Sequence, residues 1–139
     1  MSLKRIAKDY GLELICLTKK NYKKILKQYN DINTSDIKNN AFFLEDDDLI
    51  ILGIYNNPLY KKAAFFHEIG HYLIDKKFEK LVNNDMMLIE YEAWIQGLNV
   101  AKKYGVTFSD KAFKYILKSL HSYYKDSINV YIKKNEKQT

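Results

Sequence analysis

Two histidines four residues apart, with a glutamate after the first, dominate what this chain can become. Residues 67–71 read His67-Glu68-Ile69-Gly70-His71. They fall inside an apolar-periodic run from Leu59 to about Asp75 with Ala63, Ala64, Phe66, Ile69, Gly70, Leu73 and Ile74 as its apolar positions. That spacing predicts one long helix. Asn56-Asn57-Pro58 before it is a turn followed by a helix start, proline being tolerated in the first turn. Residues four apart on a helix differ by about 400° of rotation and one 5.4 Å rise. Both imidazoles therefore leave the same face. They can converge on one metal ion at about 2.0–2.1 Å per nitrogen. Glu68 is turned about 100° from His67, away from that shared direction but within reach of the water a metal activates.

The pattern is improbable as an accident. With three histidines and seven glutamates among 139 residues, roughly 0.003 such matches are expected by chance. Gly70 in mid-helix costs about 1 kcal/mol relative to alanine. Something must offset that cost, and close approach of another element to the metal face would be such a reason.

Two histidines and a water do not complete a tetrahedral site, so a third protein ligand is expected. A second long helix is predicted from Met86 to Tyr104, closed by Gly105, and it carries Ile89-Glu90-Tyr91-Glu92-Ala93-Trp94. Glu90 and Glu92 differ by about 200°, so only one can face the histidines. The apolar stripe runs through Met86, Ala93, Gly97, Val100, Ala101 and Tyr104. Glu90 lies within that arc and Glu92 outside it. A carboxylate on an apolar face needs a compensating charge, which favours Glu90, with Glu92 in reserve. His121, Tyr55, Tyr72 and Tyr91 are further candidates for a donor to a developing oxyanion. Asp75, one turn beyond His71, is a candidate acceptor for that ring.

The rest of the chain reads as smaller elements. A helix is expected through Leu3, Ile6, Ala7 and Tyr10 with Gly11 as its stop, then a strand over residues 12–17. A second helix follows through Tyr22, Ile25, Leu26 and Tyr29. Residues 31–40 read as a loop. Residues 41–44 and 49–55 read as a hairpin with an acidic turn at Glu45-Asp46-Asp47-Asp48. The three aspartates lack the alternating ligands, central glycine and distal glutamate of an EF-hand. Residues 76–85 read as loop, and Ser109 as the cap of a last helix through Phe113, Ile116, Leu117 and Leu120. Residues 128–132 extend or follow it, and a polar tail begins near 133. The length, the single proline and the absence of repeats predict one domain over residues 1–139. Cys16, the one cysteine, excludes an intrachain disulfide and reads as a buried thiol.

Charge adds little. Lys and Arg number 23 against 17 Asp and Glu, a net of +6, but Arg5 is the only arginine. Arginine is the preferred reader of guanine edges, and no helix-turn-helix, zinc-finger or RNP pattern is present. A specific nucleic-acid partner is therefore not expected. No apolar run reaches the ~18 residues of a membrane helix, and no signal-peptide core follows the N-terminus. The expectation is a cytoplasmic protein.

His67-Glu68-Ile69-Gly70-His71 followed by Glu90-x-x-Ala93 resembles the ImmA/IrrE family of zinc metallopeptidases. Ala64-Phe65-Phe66 before the motif and His71-Tyr72-Leu73-Ile74 after it are also similar to that family. The likeness covers about residues 41–104 and is of the gluzincin kind. It implies a small zincin-like α+β domain. In such a domain a short antiparallel sheet packs on an active-site helix and a glutamate-bearing helix. It implies Zn²⁺ held by His67, His71 and Glu90, with Glu68 as the catalytic general base. Relatives encoded by phages and mobile elements cleave or otherwise inactivate a helix-turn-helix repressor, so the implied partner is a protein or peptide of that kind. A substrate segment is expected to lie along residues 49–55, taken as an edge strand. One position departs from the family. Four residues after the third ligand, where Asn or Asp is often found, stands Trp94, which cannot accept a hydrogen bond. The competing expectation is a non-catalytic, zinc-stabilised regulator that binds a repressor. It would gain from a fourth protein ligand, for which Cys16, Glu92 and His121 are the candidates.

Overall fold

The computed structural model describes residues 2–29, 32–77 and 86–122. The elements run α1 (Leu3–Asp9), β1 (Glu13–Cys16), α2 (Tyr22–Gln28), β2 (Ala41–Leu44), β3 (Leu49–Leu52), α3 (Pro58–Lys77) and α4 (Met86–Lys103), followed by α5 over residues 110–122. Single 3-10 turns stand at Thr34–Asp36 and Glu45–Asp47. The expected stretch at 128–132, the polar tail and most of the expected 76–85 loop lie outside the described residues. α3 itself runs on to Lys77.

Local chemistry explains the boundaries. Ser2 caps α1 by accepting from the Arg5 N–H at 3.2 Å. Ser109 does the same for α5, accepting from the Ala112 N–H at 3.3 Å. The chain leaves α1 and α4 through Gly11 and Gly105, both at positive φ. The acidic residues 45–48 make the expected hairpin turn, Leu44 pairing with Leu49 across it.

The sheet differs from the all-antiparallel expectation. Its order is β1-β3-β2, with β2 antiparallel to β3 but β1 parallel to it, so the sheet is mixed. β3 is consequently the central strand, and residues 49–52 are not an edge. All four of its side chains are fully buried. Ile50 and Leu52 join the core under α3, with Ile6, Leu14, Phe65, Phe66 and Ile69. Leu49 and Ile51 join a second core on the opposite face, with Leu17, Leu26, Ile32 and Ile37. A strand buried on both faces reads as an unbroken apolar run, and Leu49-Ile50-Ile51-Leu52 is one. Cys16, expected to be buried, is half-buried at the margin of the α3 core.

α3 lies between the sheet and α4. It is buried over Ala63, Ala64, Phe65 and Phe66 and again at Ile69. Two glycines let the helices touch backbone to backbone. A Cβ on Gly70 would stand 1.8 Å from the carbonyl oxygen of Ala93, and one on Gly97 would stand 2.1 Å from that of Phe66. The close approach expected at Gly70 is α4. α5 covers the far end of this pair, where Ile116 packs with Ala63 and Trp94.

Candidate metal centre

Crossing α3 and α4 at their glycines sets the distance between the side chains one turn away. His67 precedes Gly70 by three residues, and Glu90 precedes Ala93 by three. The two side chains meet: His67 Nε2 lies 2.6 Å from Glu90 Oε2. His71 Nε2 lies 3.3 Å from Glu90 Oε1, and the two Nε2 atoms are 3.2 Å apart. Glu90 thus spans both imidazoles, one oxygen to each.

The separation of the two imidazole nitrogens fits a shared ion. Two nitrogens bound at 2.0–2.1 Å to a tetrahedral ion stand about 3.3 Å from one another. Among the described residues, His67, His71 and Glu90 are the group of His, Cys, Asp and Glu able to hold a metal ion. Glu92, Cys16 and His121 do not join it. Three ligands leave a tetrahedral ion one position for solvent or substrate.

The electrostatics of the three groups follow from burial and mutual contact. Burial works against the Glu90 carboxylate, but hydrogen bonds from His67 and His71 outweigh it and hold the group down at about 2. Burial lowers His67 despite its bond to Glu90. Burial would lower His71 too, but its hydrogen bond to Glu90 and the nearby charges of Glu68, Glu90 and Asp75 raise it overall. Glu68, buried against α3's neighbours, is pushed up to about 7, chiefly by desolvation.

All four groups line one cleft of about 230 Å³, whose other walls are Asn39, Asn40, Ala41, Tyr55, Ala64, Trp94, Tyr115 and Ser119. The 37–40 segment is pinned there by backbone bonds. The Ile54 N–H donates to Ile37 O at 2.8 Å, the Asn39 N–H to Ile54 O at 2.9 Å and the Gly53 N–H to Asn40 O at 2.8 Å. Tyr55 and Tyr115 are hydrogen-bonded through their hydroxyls, and burial pushes both phenols above their ordinary value. Tyr115 also stacks on Tyr60, ring centroids 4.5 Å apart.

Of the four expected oxyanion donors, only Tyr55 reaches the cleft. The Tyr72 hydroxyl donates to Tyr10 O at 3.1 Å, Tyr91 is exposed and His121 is exposed on α5. Sequence reasoning missed Tyr115 and Ser119, one turn apart on α5, because an amphipathic helix does not announce which element it will cover. It also missed the Asn39-Asn40 strap, although Asn39 at φ +52 is a conformation asparagine favours. Trp94 lines the cleft and stacks on His67, centroids 4.1 Å apart with planes inclined by 23°.

Comparison with protein-family models, curated proteins and solved structures finds no match to this chain. No described helix is long and apolar enough to cross a membrane.

Proposed function

We propose that this chain is a zinc-dependent metalloendopeptidase of the ImmA/IrrE kind. The observation that carries the reading is the convergence of His67, His71 and Glu90, with the two imidazole nitrogens 3.2 Å apart, beside a buried glutamate outside that group. Two imidazoles and one carboxylate suit zinc. When bound, the ion polarises a peptide carbonyl and makes water acidic enough to ionise near neutrality.

The chain's own residues supply the rest. Glu68, with its carboxyl group pushed up to about 7, takes a proton from the attacking water and delivers it to the leaving nitrogen. The Tyr55–Tyr115 hydroxyl pair stays protonated at working pH and offers a donor to the carbonyl oxygen as negative charge grows on it. β2 lies at the edge of the sheet, and the chain enters it through Asn39, Asn40 and Ala41 on the cleft wall. A substrate segment adding as a strand along β2 would carry its scissile bond past Glu68. Residues 49–52 of the expected 49–55 docking edge are closed to pairing, because β3 already has a neighbour on each side.

The substrate the resemblance implies is a helix-turn-helix repressor of a phage or mobile element, met in the cytoplasm. The alternative, a non-catalytic regulator stabilised by zinc, would be supported by a closed coordination shell. The described residues offer no fourth ligand. The test is to incubate the protein with the repressor encoded beside its gene, with and without chelator, and to size the products. Glu68→Gln should keep its zinc and lose about 10²–10⁴-fold in cleavage rate. A variant that cuts as fast as wild type sinks the assigned role, and an intact repressor in both tubes favours the regulator.

A further inference from the structure

The ring nitrogen of His67 turned away from Glu90 lacks a partner among the described residues. Nδ1 is buried and makes no hydrogen bond among the described residues. Its own helix cannot help. One turn back stands Ala63, and one turn forward stands His71, already aimed at Glu90. Metal-binding histidines ordinarily donate this second N–H to a carboxylate, carbonyl or water, which fixes the tautomer and the plane of the ring. His71 has the carboxylate of Asp75 near enough to act on its charge. His67 feels no carboxylate beyond Glu90 itself.

In place of an acceptor, His67 has the face of Trp94. Trp94 sits one turn beyond Glu90 on α4, so the helix face that sends a carboxylate to Nε2 also lays an indole on the imidazole, 4.1 Å between centroids. The indole is 3% exposed and packs with Ala63 and with Ile116 of α5. Its own Nε1 is buried and makes no hydrogen bond among the described residues.

We propose that Trp94 is the positioning residue of the metal centre: its indole, clamped from the other side by α5, fixes the plane of His67 in place of a hydrogen bond to Nδ1. The inference rests on the metal-centre reading. It places the two histidines in unlike surroundings: His71 feels the charge of Asp75, and His67 lies against an aromatic face. It also ties α5 to metal binding through the chain Ile116, Trp94, His67.

The test uses the full chain, and Zn²⁺ affinity is measured by competition with a chromophoric chelator. Trp94→Phe keeps an aromatic face and should bind within about threefold of wild type, whereas Trp94→Leu should lose about 10–100-fold. Circular dichroism of the metal-free variants checks that both are folded. Equal affinity of Trp94→Leu and wild type overturns the proposal. So does a Trp94→Phe as weak as a folded Trp94→Leu, because loss of bulk alone would then explain both. Should Trp94→Leu fail to fold, the wild type decides. Trp94 is the only tryptophan, and Co²⁺ entering the site should quench its emission in step with the cobalt absorption band. Cobalt uptake that leaves the emission unchanged overturns the stacking role. A wild type that takes up neither Zn²⁺ nor Co²⁺ overturns the metal centre as well, an outcome distinct from the others.

Discussion

Two carboxylates in one cleft are driven in opposite directions, and the difference is what their neighbours offer. Glu90 meets two imidazoles and sits at about 2. Glu68 is desolvated by burial and faces the like charge of Glu90, and it sits near 7. In the metal-free protein each has its own stability window. Glu90, depressed below the ordinary 4.5, contributes stability that is present above pH 4.5 and lost as pH falls toward 2. Glu68 does the reverse. Between pH 4.5 and 7 the native state holds a proton that the unfolded chain releases, so its contribution is lost as pH rises through that window. Glu68→Gln should abolish this second effect. The stability difference between wild type and the variant should therefore shift by about 3 kcal/mol in favour of the variant from pH 4.5 to above 7. Denaturant unfolding of both apo-proteins across that range measures it, and parallel curves would contradict the assignment. At this scale His67, Glu68, His71 and Glu90 were legible from spacing and face alone. Tyr115 was not, because its relevance comes from a helix docking 47 residues beyond Glu68.

At the scale of elements, the pair of glycines governs whether α3 and α4 can deliver ligands to one point. On an exposed helix surface Gly→Ala stabilises by about 1 kcal/mol. Here the added methyl would meet a carbonyl oxygen at 1.8 Å from Gly70 or 2.1 Å from Gly97. Helix backbone cannot yield as a flexible side chain does, so steric cost outweighs propensity. Gly97→Ala should destabilise the apo-protein by about 2 kcal/mol or more and weaken Zn²⁺ binding, since the wedge widens the gap between Glu90 and the histidines. Thermal unfolding and chelator competition on one sample test both, and a variant that melts higher than wild type would show the crossing is looser than drawn. The cost of Gly70 in a helix was visible beforehand and pointed to a close neighbour. Its reciprocal partner, Gly97 against Phe66, was not, because only the crossing point reveals which small residues face one another.

At the scale of the whole molecule, a metal ion held by His67, His71 and Glu90 would clasp α3 to α4, the helix that follows it in the chain. A ligand that binds only the folded state stabilises it by mass action, about 2.7 kcal/mol at one hundred times its dissociation constant. Zn²⁺ at that level should raise the melting temperature by about 10 °C, and excess chelator should reverse the rise. His67→Ala should melt at the same temperature with and without zinc; a retained shift would mean the ion binds elsewhere. The same scale is where strand order was misjudged. Residues 49–55 read as an edge strand, but the apolar run 49–52 within them is the central strand, buried on both faces. Its neighbour on one side, β1, arrives in parallel from more than thirty residues earlier, with α2 and β2 between them.

Periodicity and the fixed geometry of a helix are local properties. They suffice to place two imidazoles on one face, a glutamate beside them and a second acidic group on the next apolar stripe. Strand order, the crossing of α3 with α4, the pinning of Asn39 and Asn40, and the covering of the cleft by Tyr115 depend on which surfaces bury one another most completely. That is settled by packing among segments distant in the chain, and no window of sequence contains it.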